Sequence, residues 1–322
     1  MQLWRIPIPL LIMSIAFGVA GCRSDEDAPF RVGLVVWPPY EMAFLAEDLG
    51  YYDGHAIELI DYRSPSDFMV VYQTGSLDAV GTTLGYALEL QAADPRQEVV
   101  LMINHSTGGD AVVAGAPADT MQDLVGRRIG YEASALGGYV LSRALEESGL
   151  TKDDVTLVPL DMQNHEAAFQ DGRVDAVVTY EPTVTALLGD GHNVVFDSRE
   201  IPFEILDVLL TPDHLSEDKQ RQLQAFVDGW FKAYDYFLEN PSDAASRVAE
   251  RQGMTVDEFL ASFDGVELID HMTNLAWLSG NTPKLTARLE EHAHKMVELG
   301  FLNAVPDVSQ MANPTYVEAV EE

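Results

Sequence analysis

Short apolar runs alternate with helical patterns along this chain, and the alternation breaks off and begins again after Gly126, which limits the fold to a pair of layered units. In the first stretch Arg31 to Val36, Ile57 to Asp61, Ala79 to Val80, Val99 to Ile103 and Ala111 to Ala114 read as strands. Between them, Glu41 to Leu49 reads as a helix closed by Gly50. A second helix has Ser64 as its cap, Pro65 in its first turn and Gly75 at its end. This order predicts an α/β fold whose sheet is doubly wound and mainly parallel. The same grammar returns in Arg128 to Tyr131, Leu136 to Ser148, Val155 to Val158, Glu166 to Gln170 and Val174 to Thr179. A local echo ties the two units together: Gln73-Thr74-Gly75-Ser76-Leu77-Asp78-Ala79-Val80 and Gln170-Asp171-Gly172-Arg173-Val174-Asp175-Ala176-Val177 each run from helix end through glycine to buried strand.

An apolar strand then returns at Ile205 to Thr211, followed by helices over Lys219 to Leu238, Pro241 to Arg251 and Val256 to Phe263. The expected division is a first lobe over 30–114, an inserted second lobe over 115–203, and a return to the first lobe over 204–322. Two chain crossings, near Gly115 and Pro202, form a hinge.

Ahead of this lies an export pattern. Arg5 is a positive n-region, Ile6 to Val19 is almost wholly apolar and too short to span a bilayer, and Ala20-Gly21 precede the sole cysteine, Cys22. The arrangement resembles the lipobox of bacterial lipoproteins, which implies a signal over 1–21, acylation of Cys22 and a charged tether through residue 29. With that thiol acylated, disulfides, thiolate metal sites and cysteine nucleophiles are excluded together. The 52 acidic against 19 basic residues give a net charge of -33, which repels phosphate backbones and excludes nucleic acid as a partner.

In open parallel sheets ligands lie beyond the carboxyl ends of the strands, so the loops there define a cleft between the lobes. Strand one ends in Trp37-Pro38-Pro39-Tyr40, where the two aromatics form either a wall for a flat or cationic ligand or part of the core. Thr82 and Thr83 end the echo strand of lobe one; Tyr180 and Glu181 end its counterpart, with Glu181 also placed to favour a helix start. The loop Ser134-Ala135-Leu136-Gly137 leads into a helix, where free N–H groups hold an anion or carbonyl oxygen, or the glycine serves packing alone. Asp110 and Asp207 sit beside the two crossings and either accept hydrogen bonds from an amine, amidine or ring N–H or anchor backbone turns. No lysine or arginine occurs in these segments, which favours a neutral or cationic organic ligand. Nothing in the spacing of histidines or carboxylates makes a metal site or a catalytic motif: His292 and His294, two residues apart, do not share a helix face. No cofactor is expected.

Four stretches carry a family resemblance: Trp37 to Tyr52 with its Ala-Glu-Asp-Leu-Gly-Tyr-Tyr, Gly75 to Ala79, Gly130 to Leu150, and Ala168 to Pro182. They resemble the periplasmic substrate-binding proteins of ABC transporters for nitrate, taurine, alkylsulfonates and thiamine precursors. The resemblance implies a two-lobed type 2 periplasmic binding protein fold, here in lipoprotein form, that is not an enzyme. It implies a monomer that closes on a small nitrogen-containing or sulfonate-type solute and delivers it to a permease and ATPase at a periplasm-facing or cell-surface membrane. Carried over by position, Trp37, Tyr40, Thr82, Thr83, Ser134 to Gly137, Tyr180 and Glu181 meet the solute, with Asp207 beside them. A pyrimidine-precursor-synthase-like enzyme and a ligand-sensing receptor subunit stand as alternatives on the same fold.

Overall fold

In a computed structural model, which describes residues 28–320 and so leaves the Cys22 reading outside it, two sheets account for the restart in the pattern. The first lobe opens with β1 (Phe30–Val35), α1 (Glu41–Asp48), β2 (Ile57–Tyr62), α2 (Pro65–Gln73), β3 (Ala79–Thr83), α3 (Leu84–Ala93) and β4 (Gln97–Ser106). The chain crosses into β5 (Asp110–Ala114), β6 (Arg128–Tyr131), α4 (Gly137–Glu147), β7 (Thr156–Pro159), α5 (His165–Gln170), β8 (Ala176–Tyr180), α6 (Thr183–Gly189) and β9 (Asn193–Asp197). It returns through β10 (Leu206–Pro212) to α7 (Glu217–Glu239), α8 (Pro241–Val248), α9 (Val256–Ser262), β11 (Val266–Leu268), α10 (His271–Leu278), α11 (Lys284–Leu299) and α12 (Thr315–Glu318).

The sheets are mixed. β2-β1-β3 and β7-β6-β8 are parallel, whereas β10 runs antiparallel to β3 and β4, and β5 antiparallel to β8 and β9. The strands that enter a lobe from the other, β5 and β10, run against the βαβ units they join, whereas β4 and β9, which leave, run with them. One boundary is corrected. Asp110–Ala114, expected in the first lobe, pairs with β8 and β9 of the second, so the first crossing lies at Thr107 to Gly109 rather than near Gly115. All five residues of that strand are buried, so no alternation marks which sheet they join. Gly108 takes φ +129° in the crossing, a conformation open to glycine, and Gly109 N–H donates to the Gly265 carbonyl at 2.8 Å.

The echo marks one device used twice. Gly75 and Gly172 turn at φ +72° and +65°, letting Asp78 and Asp175 reach back to the first strand of their lobe. Asp78 accepts the Arg31 amide at 2.8 Å and Asp175 accepts the Arg128 amide at 2.9 Å. Ser64 caps α2 as its position implies, accepting from Asp67 N–H at 3.4 Å. The helix α3 shows no clear signal in the sequence because seven of its residues are buried and it lacks a polar stripe. α7 lays Phe226, Trp230 and Phe231 into the first-lobe core against α1.

The lobes are clasped on the side of α4. Tyr139 of α4 stacks on His292 of α11 with centroids 4.3 Å apart, and Lys295 pairs with Glu146 at 2.9 Å. Tyr139 Oη donates to Glu204 at 2.7 Å, and Arg143 Nε reaches the same carboxylate at 2.8 Å. Burial pushes the His292 imidazole down to about 4, with Arg288 acting in the same direction and Glu204 opposing it. A group whose pKa is depressed in the clasped form takes up a proton more readily once released. The clasp therefore weakens as pH falls from about 6.5 towards 4. Small-angle scattering across that range is expected to show an increasing radius of gyration, and a His292→Gln variant a flatter response.

Candidate functional site

Register brings the site together. β10 lies between β3 and β4, so Asp207 stands opposite Thr83 on one side and Asn104 on the other, with Val208 opposite Thr82. Tyr40 closes a short 3-10 turn stiffened by Pro38 and Pro39, which directs its ring inward from the end of β1. Across the crevice, Asp110 begins β5 directly opposite Tyr180 at the end of β8. The two sheets thus present their strand ends to each other around a small cavity of about 30 Å³. Trp37, Tyr40, Thr82, Thr83 and Asp207 line it from the first lobe. Asp110, Leu136 and Tyr180 line it from the second. Trp37 and Tyr180 meet edge to face, 6.1 Å between centroids, so the aromatic wall spans both lobes.

The first-lobe side is a connected hydrogen-bond chain. Tyr40 Oη donates to Asp207 Oδ1 at 2.6 Å and Asn104 Nδ2 donates to Asp207 Oδ2 at 3.1 Å. Trp37 Nε1 donates to Asn104 Oδ1, also at 3.1 Å. Asn104 is the member that sequence reading passed over; its signal is a lone amide at the end of the apolar run Val99 to Ile103. Burial raises the Asp207 carboxyl to about 6, with Tyr40 and Asn104 holding it back. Asp110 is as deeply buried and less supported. Burial pushes its carboxyl up to about 7; the Ser106 hydroxyl opposes this, while the charges of Asp207 and Glu181 add to it.

No lysine or arginine lines the cavity, and neither aspartate forms an ion pair among the described residues. Thr82 Oγ1 and Thr83 Oγ1 are buried there without a hydrogen-bond partner. A buried hydroxyl with no partner costs about 1–3 kcal/mol, so these two are positioned for a group the protein itself does not provide.

The structure does not bring four of the expected residues to the wall. Ser134 is occupied locally: its hydroxyl donates to Glu132 at 2.9 Å and accepts the Gly137 amide at 3.2 Å. Gly138 N–H donates to the Ser134 carbonyl at 3.0 Å, so the Gly137 and Gly138 amides at this helix start are already used. Gly137 serves packing, since a Cβ there would lie 2.5 Å from the Glu132 carbonyl oxygen. Ala135 packs against Gly85 across the lobe boundary. The Glu181 carboxylate accepts from Thr185 N–H and Oγ1, each at 3.0 Å, and braces the first turn of α6. Leu136 alone from that loop reaches the cavity.

Among the described residues no group of histidines and carboxylates is placed to hold a metal, and no helix is long and apolar enough to cross a membrane. A family model described as NMT1/THI5 like matches residues 37–244, well over half of the chain. The chain is 25% identical over 231 residues to the taurine-binding periplasmic protein of Escherichia coli K12, spanning 69% of this chain and 71% of that one. It is 24% identical over 262 residues to the formylaminopyrimidine-binding protein of Halalkalibacterium halodurans, spanning 75% and 78%. The fold is shared with the periplasmic aliphatic sulphonate binding protein SsuA from Escherichia coli at a TM-score of 0.74 and 18% identity, over 89% of this chain and 92% of that one.

Proposed function

Because the chain belongs to the NMT1/THI5-like family, we propose that it is the extracytoplasmic solute-binding component of an ABC importer. In this role it captures a small organic solute between its lobes and hands it to a permease driven by an ATPase. The observation that carries this reading is the cavity itself, which is built from the strand ends of both sheets and lined by aromatic rings, unpaired carboxylates and two partnerless hydroxyls. Its small free volume requires the lobes to part for entry and exit, and the crossings at Thr107 to Gly109 and around Pro202 are where they bend. The names of two relatives, which specify taurine and formylaminopyrimidine, support a small organic solute.

In this reading Trp37, Tyr40, Thr82, Thr83, Asp110, Leu136, Tyr180 and Asp207 contact the solute, and Cys22 carries a lipid that keeps the domain beside its permease. In this reading the protein acts as a monomer and releases its solute unchanged. A thermal-shift screen of small organic solutes tests the assignment: a true ligand at about 100 times its dissociation constant adds about 2.7 kcal/mol. Conversion of a bound solute, followed by mass spectrometry, would replace the binding assignment with an enzymatic one.

A further inference from the structure

The two cavity aspartates have different surroundings, and the difference defines what the cavity takes. Asp207 is already committed, one oxygen to Tyr40 and the other to Asn104. Asp110 is 3% exposed, faces no cation, and has only the Ser106 hydroxyl in support while the charges of Asp207 and Glu181 repel it. Tyr40, Tyr180, Glu132 and Tyr86 are the other titratable groups around this pair, and none of them brings a positive charge. Thr82 and Thr83, 2% and 9% exposed, add unpartnered hydroxyl oxygens on the opposite wall. A sulfonate placed here would meet carboxylates and find no basic side chain, and the Gly137 and Gly138 amides of the helix start are bonded to Ser134.

Resting on the solute-binding reading above, we infer that the cleft selects a compact organic cation bearing N–H groups, an ammonium or amidinium on an apolar body. Asp110 accepts its charge, the Thr82 and Thr83 hydroxyls accept further N–H bonds, and Trp37 and Tyr180 enclose the body. The committed Asp207 adds negative potential and holds Tyr40 in place without being the direct anchor.

Calorimetric titration of the full chain at pH 8 tests this with benzylammonium, benzamidinium and propylammonium, against benzenesulfonate and propanesulfonate as anions and trimethylbenzylammonium as a cation lacking N–H. Binding of the N–H cations is expected to be at least tenfold tighter than that of either sulfonate or the trimethylated cation. Asp110→Asn is expected to weaken N–H cation binding about tenfold or more, the effect of a hydrogen bond to a charged group. Thr82→Val gives a second test should the first variant fold poorly: a several-fold loss for N–H cations and no change for the trimethylated one. Equal or tighter sulfonate binding, or unchanged cation affinity in both variants, overturns the cation class and leaves solute binding standing. No binding by any probe also overturns it. A native mass spectrum of the protein as purified then decides the parent reading separately, which stands if a small organic of another class is bound and falls if none is.

Discussion

At pH 8 and without ligand, the Asp110→Asn protein is expected to unfold at a higher temperature than the parent. Binding sites commonly retain groups that the fold alone would not, and Asp110 is such a group: a buried carboxylate with no cation and two carboxylate neighbours. Its pKa of about 7 in the folded protein lies well above the ordinary aspartate value of about 4. Between those values the folded state keeps a proton that the unfolded chain has lost, so the contribution of Asp110 to stability falls as pH rises from about 4 to 7 and is then constant. An amide is indifferent to pH over that range. The gap between variant and parent should open across it and reach at most about 4 kcal/mol, three pKa units at about 1.36 kcal/mol each. Any opening of the lobes that admits water to the carboxylate reduces that ceiling. Thermal melts at pH 4, 6 and 8 check the sign and the window; a variant less stable than the parent at pH 8 would mean that Asp110 has an unrecognised structural partner.

Asp207→Ala should do the opposite, although the residue replaced is chemically identical and lies in the same cavity. Removing this carboxylate leaves Tyr40 Oη and Asn104 Nδ2 buried without acceptors, each costing about 1–3 kcal/mol, so a loss of about 2–6 kcal/mol is expected at pH 5. The pH matters because the Asp207 carboxyl is also raised, to about 6. Below that value the parent carries little buried charge, and the loss of partners dominates. As pH rises through the window from about 4 to 6, the parent loses part of its advantage and the difference narrows. Denaturant titrations at pH 5 and pH 8 measure both the loss and its narrowing. Tyr40→Phe supplies the control, removing one donor while leaving the carboxylate and Asn104 paired.

These paired expectations also indicate how far the sequence could be read. Trp37, Tyr40, Thr82, Thr83 and Tyr180 were reachable from one rule, that ligands meet strand ends, applied to runs whose boundaries are visible in the sequence, and Asp110 and Asp207 from their places beside the two crossings. Ser134 and Glu181 satisfied the same rule and proved to be internal caps. A capping side chain and a ligand-binding one have the same chemistry, and only the direction of the oxygen separates them. Asn104 was missed for the converse reason: an amide inside an apolar strand reads as an interruption until its cross-strand neighbour is known to be Asp207.

The amino-acid sequence by itself determined the two α/β units, the glycine turns that close their helices and the shortage of basic residues around the cleft. Each of these rests on local periodicity, backbone preference or composition, which act within a few residues along the chain. Tertiary structure alone decided that Asp110 belongs to the second lobe and faces Asp207 of the first, and that one carboxylate is tied while the other is free. Strand pairing joins residues far apart in the chain through hydrogen bonds any sequence can make, so register and burial, and with them the charge state of each aspartate, exist only once the sheets have formed.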